Sequence, residues 1–87
     1  MDEETLLEFP CQFPIKVMGI NHVNFENEVV MIVRQHAPAL GEGSVKSKPS
    51  RTGKYLAVTV TITANSKSQL DTLYRALNAH PDVKMML

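Results

Sequence analysis

The sequence predicts an α+β domain of order βαββαβ, the ferredoxin-like sandwich in which two helices cover one face of a four-stranded antiparallel sheet. Three observations carry this reading: a ten-residue alternating run at Tyr55–Ala64, two segments of helical periodicity each closed by a histidine and a nearby proline, and one Gly/Pro/Ser-rich hairpin between the halves. Two strand–helix–strand units joined by a hairpin make the split βαβ arrangement. Its first and third strands lie at the centre of the sheet.

The elements follow in order. Phe9, Pro10, Cys11, Gln12, Phe13 and Pro14 read as an extended lead-in, since each proline pushes its predecessor toward β or polyproline geometry. Residues 15–20 then alternate Ile15 and Val17 against Lys16 and Met18, a strand with one buried face and one partly open face. Asn24 is the expected N-cap of a helix whose stripe is Phe25, Val29, Ile32, Val33 and His36. Glu26 and Glu28 suit the positive helix start, His36 suits its end, and Pro38 stops it.

Residues 44–48 alternate enough for a short strand. The turn chemistry of Pro49, Ser50, Arg51, Thr52 and Gly53 leads into Tyr55–Ala64, with Leu56, Val58, Val60, Ile62 and Ala64 on one face and a threonine-rich face opposite. Ser66 and Gln69 match a capping box, and Leu70, Leu73, Tyr74 and Leu77 complete the second helical stripe, which closes at His80 and Pro81. The final strand, residues 82–87, is expected to place Val83, Met85 and Leu87 on one side. Met86 then joins Met18 on the other.

Composition narrows the function. A chain of 87 residues with 44% hydrophobic content makes one globular domain over 1–87, with 1–8 an acidic tail and little room for a deep enclosed active site. The single Cys11 makes no intramolecular disulfide, and no apolar run approaches the roughly 20 residues that cross a bilayer, so a cytoplasmic location without membrane contact is expected. Net charge is zero, yet Asp2, Glu3, Glu4 and Glu8 hold four of the nine acids, leaving nine bases against five acids in the remaining body. Such a tail is either a solvated terminus or a shield over a basic surface.

No motif commits the chain to chemistry, and no enzyme is expected. His22, His36, His80 and Cys11 lack the short paired spacings of metal ligands, the glycines form no phosphate-cradling pattern, and Cys11 has no assignable base. No metal and no cofactor is therefore predicted. His36 and His80 are read as imidazoles meeting unpaired carbonyls at helix ends. His22 is left without a role.

Three surfaces remain. The basic hairpin Lys46, Lys48, Arg51 and Lys54 suits phosphates or an acidic partner, with lysine guarding of an edge strand as the structural alternative. The outward sheet positions hold one stacking aromatic, Tyr55, so sequence-specific nucleic-acid binding is not favoured. The open face, with Lys16, Met18, Tyr55, Thr59, Thr61, Lys84 and Met86, is the expected contact for a protein partner or a weak homodimer.

The segment Phe9 to Cys11 with Phe13, Pro14, Ile15, Lys16, Val17, Met18 and Gly19, followed by His36-Ala37-Pro38, Lys48-Pro49-Ser50, Gly53-Lys54-Tyr55, Leu73-Tyr74 and His80-Pro81-Asp82-Val83, resembles the YbeD-like family of small bacterial proteins. The resemblance covers nearly the whole chain. It implies a ferredoxin-like fold related in shape to the ACT regulatory domains, which bind amino acids beside the loop after their first strand. In this chain that loop supplies Gly19, Ile20, Asn21, His22 and Asn24 as candidate small-ligand contacts. The combined expectation is a non-enzymatic regulatory or interaction module, with an ACT-like ligand sensor and a weak nucleic-acid or acidic-partner binder as alternatives.

Overall fold

Alternation and helical periodicity translate into six elements: β1 (Cys11–Ile20), α1 (Phe25–His36), β2 (Val45–Pro49), β3 (Tyr55–Ala64), α2 (Lys67–Asn78) and β4 (Val83–Met86). They are taken from a computed structural model that describes residues 8–41 and 43–86. The sheet order is β2-β3-β1-β4, all neighbours antiparallel, with β1 and β3 central as expected. The proposed acidic tail over 1–8 lies outside the described residues apart from Glu8, which is exposed.

The core is one apolar layer between sheet and helices. Ile15 and Val17 of β1, Val58, Val60, Ile62 and Ala64 of β3, Phe25, Val29 and Val33 of α1, and Leu70, Leu73 and Leu77 of α2 are all buried. These are the inward alternates of each strand and one stripe of each helix, so burial follows the period of each element. Among the described residues ten large side chains are almost wholly enclosed, led by Phe25, and no polar or charged side chain is buried.

β1 is longer than its apolar alternation predicts. Its first half, from Cys11 to Pro14, pairs with Ala64 to Thr61 of β3, while β4 pairs only with Val17, Met18 and Gly19. Among the described residues Pro14 therefore sits where β1 has a strand neighbour on one side alone, the setting in which a residue without an N–H is tolerated.

β4 corrects the expected facing of the last strand. Val17 opposes Met86 and Met18 opposes Met85, but Gly19 opposes Val83, so the register slips at a bulge that absorbs Lys84. Val83 and Met86 consequently both pack on the core, whereas Met85 is 52% exposed. The methionine on the open face beside Met18 is Met85, not Met86.

The helix starts differ in kind. At α2 the Ser66 hydroxyl accepts from Gln69 N at 3.1 Å, as the capping box predicts. The Gln69 side chain reaches further than a cap: its Oε1 accepts from Asn65 N at 2.7 Å and its Nε2 donates to the His36 carbonyl at 2.8 Å, which ties the end of α1 to the start of α2. At α1 the Asn24 side chain makes no capping bond.

Candidate functional site

Two places gather the side chains singled out above: a cluster at the loop between β1 and α1, and the open face of the sheet. The cluster is built on Gly19. A Cβ there would collide with the Asp82 carbonyl and the Phe25 ring, so only glycine lets the turn before β4 and the start of α1 close onto β1. Ile20 N donates to Asp82 O at 3.0 Å across this contact.

Around Phe25 stand two imidazoles, His22 and His80, each edge-on to its ring with centroids 5.8 and 5.9 Å away. His22 Nε2 lies 2.9 Å from Asp82 Oδ2 and 3.9 Å from Glu28 Oε1, and His80 Nε2 lies 2.6 Å from the same Glu28 oxygen. The opposite ring nitrogens are also engaged: Asn24 N donates to His22 Nδ1 at 3.2 Å and Asp82 N donates to His80 Nδ1 at 3.0 Å. A backbone N–H can only point at a lone pair. Both neutral rings therefore carry their proton on Nε2 and donate it to a carboxylate.

This assignment decides what the cluster can do. The ligand atoms of His22, Glu28 and Asp82 lie within 4.8 Å of one another, close enough to suggest a metal centre. A metal on Nε2, however, would need that lone pair and would move the ring proton to Nδ1, against the backbone N–H of Asn24. The arrangement is a clasp holding the β1–α1 loop, the first turns of α1 and the turn before β4 together. His80 is thus no carbonyl cap, contrary to expectation, and the His36 ring makes no hydrogen bond among the described residues.

The remaining loop groups are committed in the same way. Asn21 N donates to Lys54 O at 3.0 Å and Asn21 Nδ2 to Gly53 O at 2.9 Å, while Asn24 O accepts from Glu28 N at 2.9 Å. Of the proposed ligand contacts, Gly19 is buried, and Ile20, Asn21, His22 and Asn24 all have internal partners. These bonds fasten the loop to the fold.

The open face has the opposite character. Register places Lys46, Thr59 and Lys16 in one row across β2, β3 and β1, and Lys48, Ala57 and Met18 in the next. Tyr55 and Thr61 share this face, and Lys54 Nζ stands 5.4 Å from the Tyr55 ring centroid. Between β2 and β1 runs a groove of about 340 Å³, floored by Met18, Ala57 and Thr59 and edged by the lysines. Lys16, Lys46, Lys48 and Arg51 have no hydrogen-bonding or ion-pair partner among the described residues.

No described acid lines this groove. Glu26 accepts from the Ser47 hydroxyl on the helix side, Glu28 and Asp82 belong to the clasp, Asp71 pairs with Lys67 along α2, and Glu8 precedes β1. Lys84, expected to frame the open face, instead sits in the bulge, its Nζ 3.5 Å from Pro81 O. Arg51 and Lys54 belong to the turn between β2 and β3, so the basic hairpin divides into two face lysines and two turn cations. Cys11 is half-buried against the core, where a small apolar residue is expected.

Residues 4–87 match a family model described as a protein of unknown function, DUF493. The chain belongs to this family of small bacterial proteins, YbeD-like and also termed UPF0250. A UPF0250 protein of Nitrosomonas europaea is 47% identical with both chains covered entirely. Another from Janthinobacterium is 49% identical over 97% of this chain and 92% of its own. The solution structure of HP0495 from H. pylori superposes with a TM-score of 0.71, covering 93% of this chain and 85% of the other at 12% identity, which establishes the shared ferredoxin-like fold. No function is assigned to the UPF0250 relatives by these likenesses.

Proposed function

We propose that the protein is a non-enzymatic interaction module whose open sheet face receives an acidic, extended segment of a partner protein. One observation carries the reading: three lysines with no hydrogen-bonding or ion-pair partner among the described residues edge a groove that no described acid lines. Uncompensated like charges around an apolar floor repel one another until an anionic partner neutralises them. A second copy meeting face to face would set lysine against lysine, and the floor of Met18, Ala57 and Thr59 offers no ring for stacked bases. An acidic peptide suits both features.

The half-buried clasp and the half-buried thiol present no free nucleophile–base pair, which supports a binding rather than a catalytic role. A lone half-buried cysteine suits a reducing cytosol, and among the described residues no helix is long and apolar enough to cross a membrane. Titration with a hexaglutamate peptide tests the proposal. Amide shifts at Lys16, Lys46, Lys48, Ala57 and Thr59 that fade as salt rises are the expected result. An unchanged spectrum at millimolar peptide and low salt would overturn it.

A further inference from the structure

Alternation along β1 and β2 puts Lys16 and Met18 on the open side, facing Lys46 and Lys48 across Thr59 and Ala57. Neighbouring strands lie about 4.8 Å apart and successive rows about 7 Å apart. The four side chains therefore mark a rectangle of about 10 by 7 Å. Three of its corners are lysines and the fourth is Met18. Beyond that corner the row continues to Met85 of β4, which is 52% exposed. A purely anionic occupant would satisfy three corners and leave the two methionines in water.

An extended segment lying along β3 turns successive side chains alternately toward β2 and toward β1. Its repeat of about 6.8 Å per two residues matches the spacing of the rows. Two carboxylates, two residues apart, then reach Lys46 and Lys48. On the other side a third carboxylate reaches Lys16, and the remaining side chain falls against Met18 and Met85. We infer, resting on the acidic-partner reading above, that the partner segment holds three carboxylates and one large apolar side chain within four successive residues, and that the Met18–Met85 corner selects the apolar one. Unbranched thioethers repack around leucine, isoleucine or an aromatic ring alike, so the corner reads size and apolarity rather than one residue type.

Titration of the full chain with two peptides tests this: heptaglutamate, and the same peptide with leucine at its centre. Three glutamates on either side of the leucine satisfy the pattern whichever way the segment runs. The leucine peptide has one charge fewer, so charge attraction alone makes it the weaker ligand. Partial burial of leucine on the methionines should instead make it bind about three- to tenfold tighter, as read from the Ala57 and Thr59 amide shifts. Met18→Lys supplies a fourth cation and should reverse the order. Met18→Ala with Met85→Ala adds no charge and should abolish the leucine preference, even if the new lysine disturbs the sheet. Equal or tighter binding of heptaglutamate by the parent, or a leucine preference that survives either change, overturns the inference and leaves the acid-binding groove intact. Amide shifts with neither peptide overturn both.

Discussion

Gly19 and His22 show how single residues shape this fold. Gly19→Ala would drive a methyl group into the Asp82 carbonyl and the Phe25 ring, and overpacking of this kind costs about 1–3 kcal/mol. A lower urea midpoint with unchanged slope is the expected reading. His22→Ala removes the Asp82 contact and leaves Asn24 N without its acceptor, an expected loss of about 1–2 kcal/mol. Tyr74, packed edge-on to Phe13, has its pKa raised above the ordinary 10.0 because burial disfavours the phenolate. The native state thus holds that proton more tightly than the unfolded chain. Its contribution is fully present below pH 10.0 and is lost as pH rises through the higher native value. Tyr74→Phe should flatten this alkaline decline in a series of urea melts.

Among the elements, local signals were the most readable. The bounds of β3 coincide with the predicted run Tyr55–Ala64, and the Ser66–Gln69 cap is formed as read, because both depend on residues within a few positions of each other. The clasp was not visible for the opposite reason: His22 and Asp82 are 60 positions apart, and Glu28 and His80 are 52 apart, so no short spacing announces them. The bulge at Lys84 was equally hidden, since alternation in sequence says nothing of a slipped register. The first half of β1 escaped notice because two prolines obscure a strand whose edge is partly free. Gln69 offers a test of joining between elements. Gln69→Ala and Ser66→Ala should each lower stability by about 1 kcal/mol, and their double variant by less than the sum, because they share one turn.

At the scale of the molecule, charge is sorted by face: the described acids sit on the helix side or at the chain ends, while the unpaired lysines occupy the open side. The lysine rows were legible as a basic hairpin, although only the register showed that Lys16 joins Lys46 and Lys48, whereas Arg51 and Lys54 lie in the turn between β2 and β3. Lys46→Glu with Lys48→Glu should leave the melting temperature nearly unchanged, since both side chains are exposed. The same variant should abolish detectable hexaglutamate binding. Thermal denaturation and the peptide titration, run side by side, separate folding from recognition.

Pro14 has a further consequence, for association between molecules. It interrupts the half of β1 that β4 leaves uncovered, and so withholds a hydrogen-bond donor from any strand that approaches there. Pro14→Val would complete a β-prone stretch from Cys11 to Val17 along an edge that β4 leaves open, a template for runaway strand addition. Faster thioflavin-positive aggregation at high concentration, with the monomer fold preserved, is the expected outcome. By this account the proline keeps a small sheet from growing beyond its own four strands.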